Sequence, residues 1–243
     1  MDVTMTRLVC FALKEEAAPF RAITAGGLRR GHPVSILLTG IGRENAGKSI
    51  REFLARNSPE RVLTCGFAGG LNPDLKIGDV VFEIPSGSSR GNQAQTEIGN
   101  RQSSFGNKMK PPHVGCHDKL IAAGAKPVKF FCADRIATTA AEKKTLREQS
   151  GADAVEMESA AIHAVCAGCG IPCVTVRVIS DTANEDLPLD FNALSKPDMN
   201  LDFGKLFLAL AKSPRKIGPL MELQRKTKFA AERLAHVLNE IIR

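Results

Sequence analysis

The chain has 243 residues, 43% of them hydrophobic, with seven cysteines and a formal net charge of +7. That length suits one α/β domain with a sizeable core. Unpaired cysteine spacing and an opening apolar run too short for export or membrane spanning predict reduced thiols in a soluble, cytoplasmic protein. The charge does not predict nucleic-acid binding: no Trp or Tyr supplies a stacking surface, and residues 203–243 carry nine Lys/Arg against three Asp/Glu, so the basicity belongs to the tail.

From the N-terminus, short apolar runs alternate with amphipathic stretches. "RLVCFAL" (7–13) leads into a helix at 14–24, and "VSILLTG" (34–40) into one at 43–57; "RVLTCG" (61–66) and "DVVFEIP" (79–85) follow as strands. Then come a helix on "HDKLIAAG", a strand on "PVKFFCA" (127–133), a helix at 140–150, a strand on "DAVEM", a helix near 158–169 and a strand on "PCVTVRVIS" (172–180). Strands rich in Val, Ile and Leu, separated by helices, predict a three-layer α/β/α sandwich around a central mixed, largely parallel sheet. Ligands in such folds sit at the C-terminal ends of the strands.

Residues 86–116, rich in Gly, Ser, Asn and Gln, read as a long loop, functional or disordered. The tail predicts two helices, about 201–212 and 217–242, the second with Leu220, Leu223, Leu234, Val237, Leu238 and Ile241 near one face. The expected organisation is a domain over 1–200 with a basic helical extension, 201–243, packed on it. The solvated side of that extension is either inert or a peripheral contact for anionic lipid or a large substrate.

Several short stretches bear on chemistry. "GRENAGKS" (42–49) matches the G-x-x-x-x-G-K-[ST] pattern of nucleotide phosphate loops. Such a loop must stay non-helical so that successive N–H groups turn inward, yet this one runs smoothly into "SIREFLARN". The turn is therefore expected to end at Gly42, with Lys48 and Ser49 pointing away and Gly42 and Arg43 lining a pocket for water or phosphate. "VEMES" (155–159) places Glu156 and Glu158 where a strand gives way to a helix, either as ligand-binding carboxylates or as favourable charge on a helix N-terminus. In "VRVISDTAN", Asp181 follows Ser180 at a strand end and serves either as an N-cap or as an acid that donates a proton near neutral pH. Glu15 and Glu16 follow the first strand in the same ambiguous way. The glycines of "GFAGGLNPDLKIGD" form a turn after a buried strand and permit close backbone approach to a ligand. "HAVCAGCGIPC" has zinc-like spacing, but its place in a helix and an apolar strand makes these cysteines small buried hydrophobes. No metal or cofactor is expected.

Taken together, "KEE" after the first strand, "TGIG" after the second, "CGFAGGLNPDLKIGD", "VEMES" and "VRVISDTA" resemble the nucleoside phosphorylase/nucleosidase family in order and spacing, over residues 7 to about 184. Within it they are most similar to the methylthioadenosine/S-adenosylhomocysteine nucleosidases, and the tail resembles that of hopanoid-associated phosphorylase-like proteins. The resemblance implies cleavage of the N-glycosidic bond of a purine nucleoside and a homo-oligomer, dimer or higher. It assigns the ribose hydroxyls to Glu158, with Glu156 beside it and Met157 under the sugar. Asp181, steadied by Ser180, would protonate or hydrogen-bond purine N7, and Glu16 would activate water. Phe67, Ala68, Gly69, Ile136 and Ala137 would line the substrate site, although Phe67 replaces the usual Ser and 133–139 lacks the usual stacking aromatic. Phe105 and Met109 would contribute to a pocket for a 5′ substituent. An acid at Glu16, where phosphorylases carry a phosphate-binding Arg, favours hydrolysis. Arg61 and Thr64, with Gly42 and Arg43, keep a phosphate-dependent phosphorylase as the alternative. A non-catalytic nucleoside-binding protein is the alternative of another class.

Overall fold

A computed structural model describes residues 6–25, 33–83, 114–194, 206 and 213–242 of the chain. Its strands are β1 (Arg7–Phe11), β2 (Val34–Leu38), β3 (Arg61–Gly70), β4 (Val80–Glu83), β5 (Lys126–Val128), β6 (Phe130–Cys132), β7 (Ala154–Glu156) and β8 (Cys173–Asp181). Its α-helices are α1 (Lys14–Ala25), α2 (Arg43–Leu54), α3 (Val114–Ala122), α4 (Ala140–Ser150), α5 (Ser159–Gly168), α6 (Phe191–Leu194) and α7 (Ile217–Ile242).

The strands form one sheet in the order β2-β1-β3-β8-β4-β5, with β7 on β3 and β6 on β7. The pairs β1–β2, β1–β3 and β3–β8 are parallel, whereas β4 runs antiparallel to β8 and β7 antiparallel to β3. Alternation along β1 separates the two faces. Val9 and Phe11 join Ala17 and Phe20 of α1, Leu120 of α3, and Ala230, Leu234 and Leu238 of α7 in one buried cluster. Leu8 and Cys10 join Ala46 and Ile50 of α2, Ile162 of α5, and Cys166 and Cys173 in another. Helices thus cover both faces of a mixed, largely parallel sheet, as the β/α alternation predicts. Cys166 and Cys173 pack as core residues, whereas Cys169, at the C-terminal end of α5, is exposed against expectation because the helix turns away from the sheet side there; His163 Nε2 sits 2.8 Å from Thr175 Oγ1.

Three local expectations change. The glycines read as a turn after the third strand belong to that strand, which runs ten residues to Gly70 because β7 and β8 pair with its glycine end. The run "PVKFFCA" is two short strands, since β5 pairs with β4 while β6 pairs with β7. Residues 114–116 open α3 rather than closing a loop; the rest of that loop up to 113, with Phe105 and Met109, and the helix expected over 201–212 lie outside the described residues, residue 206 apart.

In α7, Leu234, Val237, Leu238 and Ile241 are buried, whereas Leu220 and Leu223 are only partly so. The buried alanines 230, 231 and 235 let this half of the helix approach α1 and the sheet closely. Arg7 Nη1 donates to the carbonyl of Ile242 at 2.6 Å, a cation at the negative end of the helix. The first half stays exposed, with Ile217 at 46% and Met221 at 57%. Among the described residues no helix is long and apolar enough to cross a membrane.

Because Leu234 is fully buried between α1 and the sheet, Leu234→Ala should cost about 2–5 kcal/mol in urea denaturation. Met221→Ala, on the exposed half, should change stability by less than about 0.5 kcal/mol.

Candidate active site

The glycine end of β3 and the C-terminal ends of β7 and β8 meet beside the start of α1 and enclose a cavity of about 170 Å³. Glu16, Phe67, Ala68, Gly69, Ile136, Ala137, Glu156, Met157, Glu158, Ser180 and Asp181 all line it. Segments far apart in sequence therefore converge as the motifs predict. Ala12, Leu13, Ile41, Arg135, Val155 and Leu187 complete the wall.

Charge in this cavity is organised by a residue that sequence reasoning did not single out. Arg177, inside the apolar run of β8, is the largest fully buried side chain among the described residues. Its Nη2 lies 2.5 Å from Glu156 Oε2 and 3.2 Å from Glu158 Oε2, and the guanidinium also donates to the carbonyl of Cys65 and to Thr64 Oγ1. A guanidinium cannot shed its proton, so its burial demands nearby anions. The available signal was an arginine within a strand otherwise buried on both faces.

The carboxylates divide the work. Glu156 accepts from the backbone N–H groups of Glu158 and Ser159 at 3.0 and 2.8 Å and from the Ser159 hydroxyl at 2.5 Å. It thereby satisfies the free donors at the start of α5. Burial pushes its pKa up, but Arg177 and these donors outweigh burial and hold it below the ordinary value. Glu158 accepts from the Gly42 N–H at 2.9 Å; burial raises its pKa, against the pull of Arg177 and with the repulsion of Glu156. Both readings of "VEMES" therefore meet in Glu156, which serves the start of the helix and lines the cavity, while Glu158 lines the cavity beside it.

Glu16 is buried at the other side, where its Oε1 accepts from Phe67 N–H at 2.8 Å and its Oε2 from Leu13 N–H at 2.9 Å. Burial raises its pKa from 4.5 to about 7, the Phe67 N–H and the field of Arg177 opposing. Gly66, at φ +146°, makes this possible: a Cβ there would fall 2.7 Å from both Glu16 Oε1 and Arg177 Nη1.

At the third corner, the register of β8 on β3 shifts between Ala68 and Gly69, so that Gly69 faces Asp181. Regular alternation would send Ser180 and Asp181 to opposite faces; the bulge lets both line the cavity. Ser180 Oγ lies 2.7 Å from Asp181 Oδ1, and Lys143 Nζ of α4 lies 2.5 Å from Asp181 Oδ2. No sequence pattern marks Lys143, which stands beside a second, exposed lysine on an amphipathic helix.

The pocket drawn for water or phosphate does not assemble as expected. Gly42 sits at the edge through its bond to Glu158, at φ +86° where a strand turns into α2. Lys48 and Ser49 lie within α2, Lys48 exposed and Ser49 bonded to the carbonyl of Thr39, so "GRENAGKS" forms no phosphate loop. Arg43 turns outward to the carbonyl of Cys132 and to Asp134 at 3.2 Å. Thr64 is buried behind the cavity as a partner of Arg177. Arg61 opens β3, eight residues before Gly69, or about 26 Å along an extended strand. It lines a separate cavity with Arg7 and Lys119 at the opposite end of the sheet.

A family model described as the Phosphorylase superfamily matches residues 12–212. A 5′-methylthioadenosine/S-adenosylhomocysteine nucleosidase of Bacillus cereus is 32% identical over 179 residues, covering 68% of this chain and 75% of that protein. An aminodeoxyfutalosine nucleosidase of Campylobacter jejuni is 26% identical over 178 residues, covering 67% and 74%. Among solved structures, futalosine hydrolase of Helicobacter pylori superposes with a TM-score of 0.66 at 18% identity, covering 100% of this chain and 99% of that one, and supports the fold. With the cavity at the strand ends and its carboxylates in place, the chain belongs to the phosphorylase superfamily, among the enzymes that cleave the N-glycosidic bond of nucleosides.

Proposed function

We propose that this enzyme hydrolyses a purine nucleoside carrying a 5′ substituent, with Glu16 as the base that activates water. The observation that carries this reading is the buried Glu16 carboxylate in the cavity wall, with its pKa near 7. A base poised near neutral pH both exists as the carboxylate and accepts a proton effectively. Phosphorolysis would need cations offered to an anion at this place, but Arg177 is committed to Glu156 and Glu158, Arg135 of the cavity wall pairs with Glu142, Arg43 faces outward and Arg61 is remote.

The remaining roles follow from the chemistry. Breaking the bond leaves positive charge on the sugar and an electron pair on the base, so the sugar must be held and the base neutralised. Glu158 presents oxygen acceptors to two ribose hydroxyls, Met157 packs against the sugar, and Asp181 delivers a proton to N7. Ile136, Ala137 and Leu187 offer the base an apolar wall, and Phe67 is the aromatic residue of the cavity lining among the described residues. The two relatives named above act on nucleosides of the class proposed here. A homo-oligomer and a cytoplasmic location belong to the same proposal.

A panel of 5′-substituted purine nucleosides, incubated with and without phosphate, should give free base and free sugar at rates independent of phosphate. Appearance of sugar 1-phosphate would transfer the assignment to a phosphorylase, and no base release under either condition would remove it. Glu16→Gln should lower kcat by roughly 10²- to 10⁴-fold.

The pH dependence has a definite sign. Glu16 must be ionised to take a proton from water, so kcat/KM should fall as pH drops through about 7. The fold favours the neutral carboxyl, so the cost of ionising it is absent below the ordinary value of 4.5 and fully present above about 7. The difference in melting temperature between Glu16→Gln and the wild type should therefore move in favour of the variant as pH rises from about 4.5 to about 8; no change with pH, or a move the other way, would contradict the assigned ionisation.

Peripheral lipid contact is proposed for the exposed half of α7. Ile217, Met221, Arg225 and Lys228 follow one another at helical spacing, all exposed, with Arg215 and Lys216 just before them. Removing α7 would strip the core, so charge reversal is the cleaner test. Arg215→Glu with Lys216→Glu should abolish co-sedimentation with anionic vesicles, and equal sedimentation of variant and wild type would dismiss the contact.

A further inference from the structure

Lys143 has no part in the roles assigned so far, yet its side chain is fully buried beneath the base side of the cavity. Its Nζ lies 2.5 Å from Asp181 Oδ2 and donates to the carbonyls of Thr182 and Glu185 at 2.8 and 3.0 Å. The donors of the ammonium are thereby all used. The neighbouring Lys144 shows the ordinary alternative, with a side chain 77% exposed and 3.9 Å from Glu148.

Two carbonyls require donors but no charge, and a neutral amide would serve them. A buried cation carries a desolvation cost that only an anion in good geometry offsets. Among the described residues Asp181 is the anion in contact with Nζ, since Glu185 offers its carbonyl while its carboxylate pairs with Lys226 of α7 at 3.2 Å. The second oxygen of Asp181 is held by Ser180. The carboxyl group is thus fixed from both sides, by a strand neighbour and by a helix.

From this geometry we propose that Lys143 is a positioning residue for departure of the base, which fixes Asp181 and balances the charge that Asp181 acquires during the reaction. The proposal rests on the hydrolytic reading above. In that step the Asp181 carboxylate, paired with Lys143 at rest, takes a proton from solvent once the nucleoside is bound; the C1′–N9 bond then breaks with its electron pair on the purine as that proton moves to N7. The base leaves neutral and Asp181 becomes a carboxylate. Water adds to C1′ and its proton passes to Glu16 and from there to solvent, so that one proton enters at Asp181 and one leaves at Glu16 in each turnover. The Lys143–Asp181 contact is the arrangement that the carboxylate state requires, already built into the fold, so no reorganisation accompanies the change of charge.

The test compares two leaving groups that share one sugar. One substrate is the purine nucleoside that the wild type cleaves fastest; the other is the 4-nitrophenyl β-D-riboside with the same 5′ group, whose nitrophenolate departs without a proton. Lys143→Met should lower kcat on the purine nucleoside by roughly 10²- to 10³-fold, while kcat on the nitrophenyl riboside changes by less than about tenfold. Equal losses on both substrates, as a merely structural lysine would give, overturn the proposal, as does an unchanged kcat on the purine. Lys143→Gln keeps donors for the two carbonyls and removes the charge, so it serves if the Met variant does not fold. It should show the same selective loss, and full activity in it overturns the proposal. Independently, adding Lys143→Gln to Asp181→Asn should lower activity no further, whereas additive losses place Lys143 outside the Asp181 step. A wild type that releases base from no nucleoside overturns the hydrolytic reading and this proposal with it; a working wild type with non-selective Lys143 variants overturns this proposal alone.

Discussion

Arg177 lies fully buried against Glu156 and Glu158 and within the field of Glu16, so one cation holds carboxylates contributed by separate segments. Each of those groups would be costly to bury alone, and together they are costly to break apart. The same cation also separates their behaviour. Glu156, in direct contact and capped by three donors, is held below the ordinary value, whereas Glu16, farther from the charge and equally buried, is left near neutrality. Environments that push like groups apart are what assign different acid–base tasks to identical side chains. Here the separation comes from distance to a single guanidinium and from the hydrogen-bond donors gathered on Glu156.

The fold supplies that arrangement through strand ends. Parallel β3 and β8 deliver Gly66 to Gly69 and Arg177 to Asp181 side by side, and the antiparallel β7 brings Glu156 to the same edge. Helices then finish each carboxylate: α5 supplies donors to Glu156, the turn into α2 supplies the Gly42 N–H to Glu158, and α4 supplies Lys143 to Asp181. The base side is further braced by the segment after β8. Asn192 bonds both backbone groups of Ile136 at 2.9 Å, and Leu187 N–H bonds the carbonyl of Thr138 at 2.8 Å. The segment after β8 thus fixes the backbone of residues 136–138 on that side of the cavity.

Much of this was legible in the sequence, for reasons that can be named. Alternating apolar strands and amphipathic helices predict the layers because burial follows periodicity. Glu16, Glu158 and Asp181 stand at strand ends, where a polar residue after an apolar run is conspicuous. What stayed hidden depends on pairing across long sequence distances. The bulge at Ser180 is a property of two strands, not of one. Lys143 reads like any helical lysine until the chain after β8 is seen to fold over it. Arg61 misled because it was placed by likeness to the phosphate ligands of phosphorylases, whereas a ten-residue strand carries it to the end far from the glycines. Gly42 to Ser49 matched a phosphate loop in letters, whereas the loop's function lies in a backbone conformation that α2 does not allow.

Gly66 has a consequence for how such a cavity can vary. Its missing side chain is filled from two directions, by the oxygen of Glu16 and the nitrogen of Arg177. The spacing between base and cation is therefore written in main-chain atoms, beyond the reach of substitution at that position. The opposite wall is built from the side chains of Phe67, Ile136, Ala137 and Leu187, each replaceable one at a time. On the proposed reading the end at Glu16 is fixed and the end that would meet the purine is editable, so new substrates can be explored without disturbing the chemistry that would cleave them.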